Sequence, residues 1–462
     1  MNFHCIATTI TALISVVIFP MAVSASSWST RLTTDVLVFG GTPSGVSSAL
    51  SAAREGEHVI LVSEDDHLGG VLSGALMDQW DLNTRRGLKI QSGIFNEIYQ
   101  NLGIVFTANE AERGLKQLLD KQPNIEIIYS SIPLYVSQSS INNNAHISEV
   151  SFLNLNHHQS MDIDAKVFID ASDAGDLTSM AGAKYTTGRE DLGLDSRTQA
   201  ATLMFTIMGV DWDTVLNSYR IMQDGYGGAI GLSAWGYGKI LADYPSSPSF
   251  EILVKDLNLG YLGHGEVTVN AINIFDVNGL DQSRMDDEKI QAEHEAYRLV
   301  RYLRHHLSGF EHARVGIFAD NLYIRETRHI IGVERLTSDE IEEGRVPRDT
   351  IGLASYPLDL HQVTREDKAV FAPIRHVYGI PFGVLIPRGF DNILIASPAI
   401  SATHYAAGSA RTIPTTIEEG QAAGTACALA LRKHVTFLDI ENNPELMIDL
   451  QNNLKEDRVT LR

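Results

Sequence analysis

The feature that most constrains this chain is a run of small residues, Gly40-Gly41-Thr42-Pro43-Ser44-Gly45, set between a strand signal and a helix signal. Asp35-Val36-Leu37-Val38-Phe39 is a short apolar run of the kind a buried strand needs. Val46 to Glu55 is rich in Ala and Ser and stops at Gly56, as a helix does, and His58 to Ser63 is a second apolar strand. Strand, tight turn, helix and strand within about 30 residues make the βαβ unit of dinucleotide-binding folds. Small residues let backbone N–H groups approach a diphosphate, and the helix that follows directs its positive end at the anion. Gly40 permits the turn and Gly45 permits helix to lie close on strand. Thr42 stands where the usual fingerprint has its middle glycine, and its hydroxyl offers a further bond to phosphate. Gly41, Pro43 and Ser44 complete the cradle. The acid that holds the ribose in such units follows about 20 residues on, which points to Glu64, just past the second strand.

A chain of 462 residues is long enough for two or three domains. With 44% apolar and 20% charged residues it is globular, and a net charge of −21 argues against nucleic acid or an anionic membrane surface as a partner. The first 25 residues carry no Lys, Arg, Asp or Glu. They hold an apolar run, Ile6 to Phe19, then Pro20 and the small tripeptide Val23-Ser24-Ala25. This pattern predicts a secretory signal over residues 1–25, cleaved on export to a periplasmic or extracellular location, with no stable membrane insertion afterwards. Cys5 leaves with such a signal, so Cys427 is the single thiol of the mature chain and no internal disulfide is possible.

Helices are expected at Ile94–Gly103 and Ala111–Asp120, a strand at Ile125–Tyr129, antiparallel strands over 133–163, and a separate buried strand at Ala165–Ala171. The middle of the chain has a different composition. It is Gly- and Tyr-rich from Asp224 to Gly238 and carries a charged helix from Asp286 to His306. A strand at Asp391–Ala396 and an Ala-rich helix at Pro414–Lys433 bring back the apolar-strand and small-residue-helix pattern of residues 35–63. An amphipathic helix lies near Leu446–Leu454.

Four separated segments resemble the FAD-dependent oxidoreductases of the Rossmann-type flavoprotein superfamily, in particular a bacterial branch with a Gly-Gly-Thr-Pro-x-Gly loop. They are Gly40–Gly45, His67-Leu68-Gly69-Gly70-Val71-Leu72-Ser73-Gly74, Phe168 to Leu177, and the late run from Tyr378 to Ala430. Arg325-Glu326-Thr327-Arg328 is similar to a motif of the same branch. The resemblance implies FAD as cofactor. It implies an α/β fold whose Rossmann-type FAD-binding domain is assembled from N- and C-terminal segments, 33–185 and 369–434, around an inserted α+β substrate domain, 186–368, with a helical tail at 435–462. It implies that Gly69, Gly70 and Ser73 contact the flavin end and that Asp170, Ala171, Gly175 and Asp176 lie toward the adenosine half. It implies too that the helix carrying Gly420, Gln421, Ala422, Ala423 and Gly424 aims its N-terminus at the flavin ring, where reduction builds negative charge. The chain departs from the branch at Ser63, usually Glu, and at Ser397-Pro398, where the branch usually continues Ala-Gly.

A flavoenzyme that moves a hydride needs a base for the accompanying proton. His404, in a small-residue loop before the last long helix, is the candidate, and Arg411 and Arg325 are candidates for anion binding or proton transfer, with Arg328 beside them. There is no His-Glu-x-x-His or other metal-ligand spacing and no Gly-x-Ser-x-Gly elbow. The expected function is oxidation of a small organic substrate by hydride transfer to flavin N5, with an electron acceptor of unspecified kind. Two other readings stay open. One is a flavin-dependent reductase or desaturase of C–C double bonds, resembling the fumarate reductase flavoproteins. The other is a non-enzymatic binding protein with a degraded flavin site.

Overall fold

The structure is a computed structural model of the chain and describes residues 30–222, 227–245, 247–249 and 251–462. The expected signal lies outside the described residues.

Strand β1 (Thr30–Phe39) runs into helix α1 (Pro43–Arg54), which returns to β2 (Val59–Val62). Helices α2 (Gly93–Leu102) and α3 (Ala108–Leu119) follow and lead to β3 (Ile125–Ile128). Then come three long strands, β4 (Ser131–Ile141), β5 (Asn144–Asn154) and β6 (Gln159–Asp170). They form one sheet in the order β3-β2-β1-β6-β5-β4. β1, β2, β3 and β6 pair in parallel, while β4, β5 and β6 form an antiparallel meander. Val36–Phe39 and Val59–Val62 are buried throughout, as expected of parallel strands covered on both faces. The separate strand expected at Ala165–Ala171 is the second half of β6. Its half-polar first half pairs with β5, so the strand reads as two segments in the sequence although its backbone is continuous.

The chain then leaves this sheet and builds another. β7 (Ala201–Met208), β8 (Gly228–Ile230), β9 (Ser233–Trp235), β10 (Ile252–Gly263), β11 (Glu266–Ile274) and β12 (Arg314–Phe318) make an antiparallel sheet in the order β8-β9-β10-β11-β7-β12. The 25-residue helix α4 (Gln282–His306) lies against it through Ala292, Ala296, Leu299 and Leu303. Thr350–Ala354 pairs with Tyr378–Pro381 across the edge expected at 368/369.

The late chain returns to the first sheet. β13 (Ile393–Ile395) pairs in parallel with the end of β6. Helix α5 (His404–Ala410), helix α6 (Ile413–Lys433) and a last helix α7 (Pro444–Glu456) complete the layer. α6 crosses α1 at backbone contact. A Cβ on Gly420 or Gly424 would overlap the carbonyl oxygens of Ser44 and Ser48, and the hydroxyls of Ser47 and Ser51 donate to Ile417 O and Gln421 O. The small residues of both helices serve this crossing.

Candidate active site

β1, β2, β6 and β13 end at one level. Gly40 N donates to Val62 O, Ala171 N to Phe39 O and Ala396 N to Asp170 O, at 2.7–2.9 Å. Ligands of open α/β sheets bind at these carboxyl ends. The loop from Gly40 to Gly45 sits there and admits no side chain where it has none. A Cβ on Gly40 would lie 2.5 Å from the Ala171 carbonyl, one on Gly41 would overlap Ser63 Oγ, and one on Gly45 would overlap Gly40 O.

The hydroxyl of Thr42 donates to Ala171 O and accepts from Gly45 N, capping α1. It is therefore not the phosphate ligand expected from the sequence. The contribution of Thr42 is its amide. The amides of Gly41, Thr42 and Ser44 have no acceptor among the described residues, while Ser44 Oγ ties the loop to Ala396 O. Three free N–H groups at the start of a 12-residue helix are a preformed site for a diphosphate.

The second small-residue segment docks on the first. Gly69 N donates to Gly41 O, and Gly70 lies against Thr42 and lines the cleft. Ser73 Oγ donates to Leu68 O and closes its own turn.

The cleft has a main lobe of about 590 Å³ and a narrow lobe of about 20 Å³, and the two share Thr42, Val71, Asp173, Ile324, Arg325 and Pro398. One lobe is walled by Ser63, Glu64, Ile132, Leu155 and Asp176, and the N-terminal half of α4 closes it with Met285 and Lys289. Glu64 keeps an exposed side chain at this lobe, and partial desolvation, then the charges of Asp176, Asp65, Asp170 and Asp173, shift its pKa upward. Ala171, Gly175 and Asp176 lie beneath the loop in structural roles. Ala171 O accepts from Thr42, Gly175 packs on Ile395, and Asp176 pairs with Arg328 at 2.6 Å. Arg328 is thereby engaged through Nη1, while its Nε has no acceptor among the described residues. Asp170 accepts from Ser172 N, Ser172 Oγ and Thr178 N and holds the turn after β6.

The other lobe is lined by Tyr323, Arg325, Arg411, Ile413 and Thr416. The contribution of α6 is thus its first turn, where Ile413 N has no acceptor among the described residues. Gly420, Gln421, Ala422, Ala423 and Gly424 line neither lobe. They lie deeper in the helix, because Pro414 fits its first turn and sets the start there. Gln421 instead accepts from Ile94 N.

His404 does not line the cleft. Its Nδ1 lies 2.7 Å from Glu326 Oε1, and His329 Nε2 lies 2.8 Å from the same oxygen. Burial pushes Glu326 up, but the two histidines outweigh it and hold its pKa at about 2. His404 is a buried partner of this carboxylate.

Sequence patterns did not single out Tyr323, Asp359, His361, Asp81 or Tyr356. Tyr323 bridges the arginines: its ring lies 4.6 Å from the Arg325 guanidinium and its hydroxyl accepts from Arg411 Nη1 at 2.8 Å. Asp359 lies 3.5 Å from Arg411 Nη2. Tyr356 donates to Asp81, whose carboxyl burial pushes up. The alternation Tyr323-x-Arg325, which puts both side chains on one face of an extended segment, is the one signal that could have found Tyr323.

The sequence profile of the FAD dependent oxidoreductase family matches residues 35–454. No curated protein matches the sequence. Among solved structures, a geranylgeranyl bacteriochlorophyll reductase-like protein from Thermoplasma acidophilum shares 14% identity over 93% of this chain and 84% of that one, with a TM-score of 0.45. The p-nitrophenol 4-monooxygenase of Pseudomonas putida shares 11% over 92% and 86%, with a TM-score of 0.45. A myxobacterial chondrochloren halogenase shares 11% over 92% and 80%, with a TM-score of 0.43.

Proposed function

Since the chain belongs to the FAD dependent oxidoreductase family, we propose that it is an exported enzyme that oxidises a small organic substrate at the Arg325 end of the cleft. One observation carries this reading: the main lobe beside the free amides of the phosphate loop is walled by Arg325, which it shares with the narrow lobe that Arg411 also lines. When bound, FAD supplies a two-electron acceptor, so a substrate C–H bond yields a hydride while the neighbouring O–H or N–H yields a proton and a double bond forms. Gly41, Thr42 and Ser44 anchor the diphosphate through their amides, and Glu64 is placed for the ribose. The first turn of α6 directs its positive end at the lobe where the reaction takes place. Arg325 and Arg411 orient the substrate. A soluble carrier, a quinone or dioxygen returns the enzyme to its oxidised form. The uncharged start and Val23-Ser24-Ala25 support export.

Anaerobic mixing of the FAD-loaded protein with a panel of alcohols, amines and hydroxy acids tests the reading. A member of the panel should bleach the flavin band. A second reading, reduction of a C–C double bond, draws on Arg325. Burial lowers its pKa to about 10, which makes it a stronger acid than a solvated guanidinium. Under that reading no panel member bleaches the flavin, and an enoate reoxidises the pre-reduced protein.

The position of His404 yields a separate expectation. His404→Ala removes a hydrogen bond to a buried carboxylate and should cost about 1–3 kcal/mol in a thermal or denaturant melt. Flavin reduction per bound FAD should keep its wild-type rate. A large fall in that rate with an unchanged melt would assign His404 to the chemistry.

A further inference from the structure

Among the described residues no carboxylate forms an ion pair with Arg325, although the charges of Asp359 and Asp81 act on it. Its side chain is 3% exposed, and its Nη1 donates only to neutral acceptors, Ala200 O and Thr202 Oγ1, both at 2.8 Å. Its Nε meets no acceptor among the described residues. Arg411, 6% exposed, is answered by Asp359, but its Nε is likewise without an acceptor. The two guanidiniums share Tyr323 and wall the same lobe. Keeping an unpaired guanidinium charged in such a place is costly, and its pKa falls accordingly to about 10.

The nearby charged groups have other partners. Asp81 accepts from Tyr356, and burial pushes its pKa up while Arg411 pulls it down. His361 stays neutral, because burial and then the charges of Arg325, Arg411 and Lys255 push its pKa well down. Glu326 is occupied by His329 and His404. Arg325 and Arg411 face Asp359 and Asp81, yet the Nε groups of both guanidiniums remain without an acceptor among the described residues at the end of the cleft.

We propose, on the oxidoreductase reading above, that the substrate carries a carboxylate and that Arg325, with Arg411 and Tyr323 beside it, receives that group. The guanidinium fork matches a carboxylate in two parallel hydrogen bonds, which an alcohol or amide cannot reproduce. The same charge could serve the negative N1–O2 edge of a reduced flavin, so the test must separate the two anions.

The oxidised, FAD-loaded protein is titrated with acetate and benzoate, and with acetamide and benzamide as neutral counterparts, while the visible flavin band is followed. Saturable shifts are expected with the carboxylates and none with the amides. Arg325→Met should weaken carboxylate binding about 10- to 100-fold with FAD content retained. Its flavin midpoint potential without carboxylate should stay at the wild-type value. Wild-type affinity in this variant, amides that bind as well as carboxylates, or a lowered potential with carboxylate binding intact would overturn the proposal. If Arg325→Met fails to fold or to hold FAD, Arg325→Lys decides. It keeps the charge but not the fork and should bind carboxylates about 10-fold more weakly, and an unchanged affinity overturns the assignment. A wild-type protein that binds benzoate while no panel substrate bleaches it would sink the oxidation reading and leave this one standing.

Discussion

A Gly45→Val protein should purify without yellow colour. The first atom of the new side chain would overlap the carbonyl oxygen of Gly40 and stand 3.1 Å from its carbon and 3.3 Å from Ala171 Cβ. None of these can swing aside. Gly40 is fixed by its bond to Val62 O, and Ala171 by its bond to Phe39 O. Helix α1 must therefore move off the strand and carry the amides of Gly41, Thr42 and Ser44 with it. Overpacking of this kind costs about 1–3 kcal/mol in stability. The loss of several aligned N–H donors should weaken FAD binding by at least about 100-fold. FAD content after purification and a fluorescence titration of the apoprotein measure both effects. A yellow Gly45→Val protein of wild-type affinity would show that the loop is not the diphosphate site.

Thermal stability of the FAD-loaded protein should be greatest near pH 5 and fall toward pH 8.5. Several buried carboxyls hold their protons in the folded state far above their ordinary range. Glu418 rises to about 8 through burial, against the bonds from Ser92 and Leu353. Glu441 rises to about 8 through burial and the nearby charges of Asp349 and Glu334. Asp78 rises to about 7 through burial, although Thr268 bonds it. Glu419 is pushed well up by burial and then by Glu418, and neither of its oxygens has a partner among the described residues. An unfolded chain releases these protons at its ordinary carboxyl pKa of about 4. Between there and about pH 8 the folded state binds more protons than the unfolded one, so stability declines as pH rises through that window. Glu326 acts with the opposite sign, but its contribution is complete above its unfolded pKa and is lost only as pH falls toward 2. At about 1.4 kcal/mol per pH unit for each proton retained, Glu418 alone sets a scale of about 5 kcal/mol. For a chain of this size that is a fall of roughly 5–10 °C in melting temperature. Glu419→Gln removes one of the protons and should flatten the decline. A profile that rises from pH 5 to 8.5, or one that Glu419→Gln leaves unaltered, would refute the assignment.

The parts of the fold written in local pattern were legible. β1, α1 and β2 were readable because strands buried on both faces are apolar runs and the turn between them tolerates little besides small residues. α6 was readable because its composition is helical throughout. The glycines within α6 misled for a definite reason: close approach to another helix and close approach to an anion demand the same absent side chain, and sequence alone does not say which neighbour comes near. The setting of His404 was not legible, since its partner Glu326 lies in a distant segment. The chemistry around the arginines was half visible. Arg411 stands out as a charge in a small-residue stretch, and Arg325 opens the Arg-Glu-Thr-Arg motif. Asp359, His361 and Tyr356 sit on extended segments with no period to follow, and only the folded chain brings them to Tyr323 and the arginines.

The way β13 joins the first sheet sets an order of events during synthesis. The loop and β6 leave the ribosome early, but Pro398, Arg411, Ile413 and Thr416, which finish the far lobe, emerge only after the whole intervening sheet. A nascent chain therefore has a phosphate anchor long before it has a place for the ring system. The cofactor cannot template the early stages of folding. A chain cut short before residue 393 should have no full-affinity site for it, and colour in a preparation reports that translation has run to its late segments.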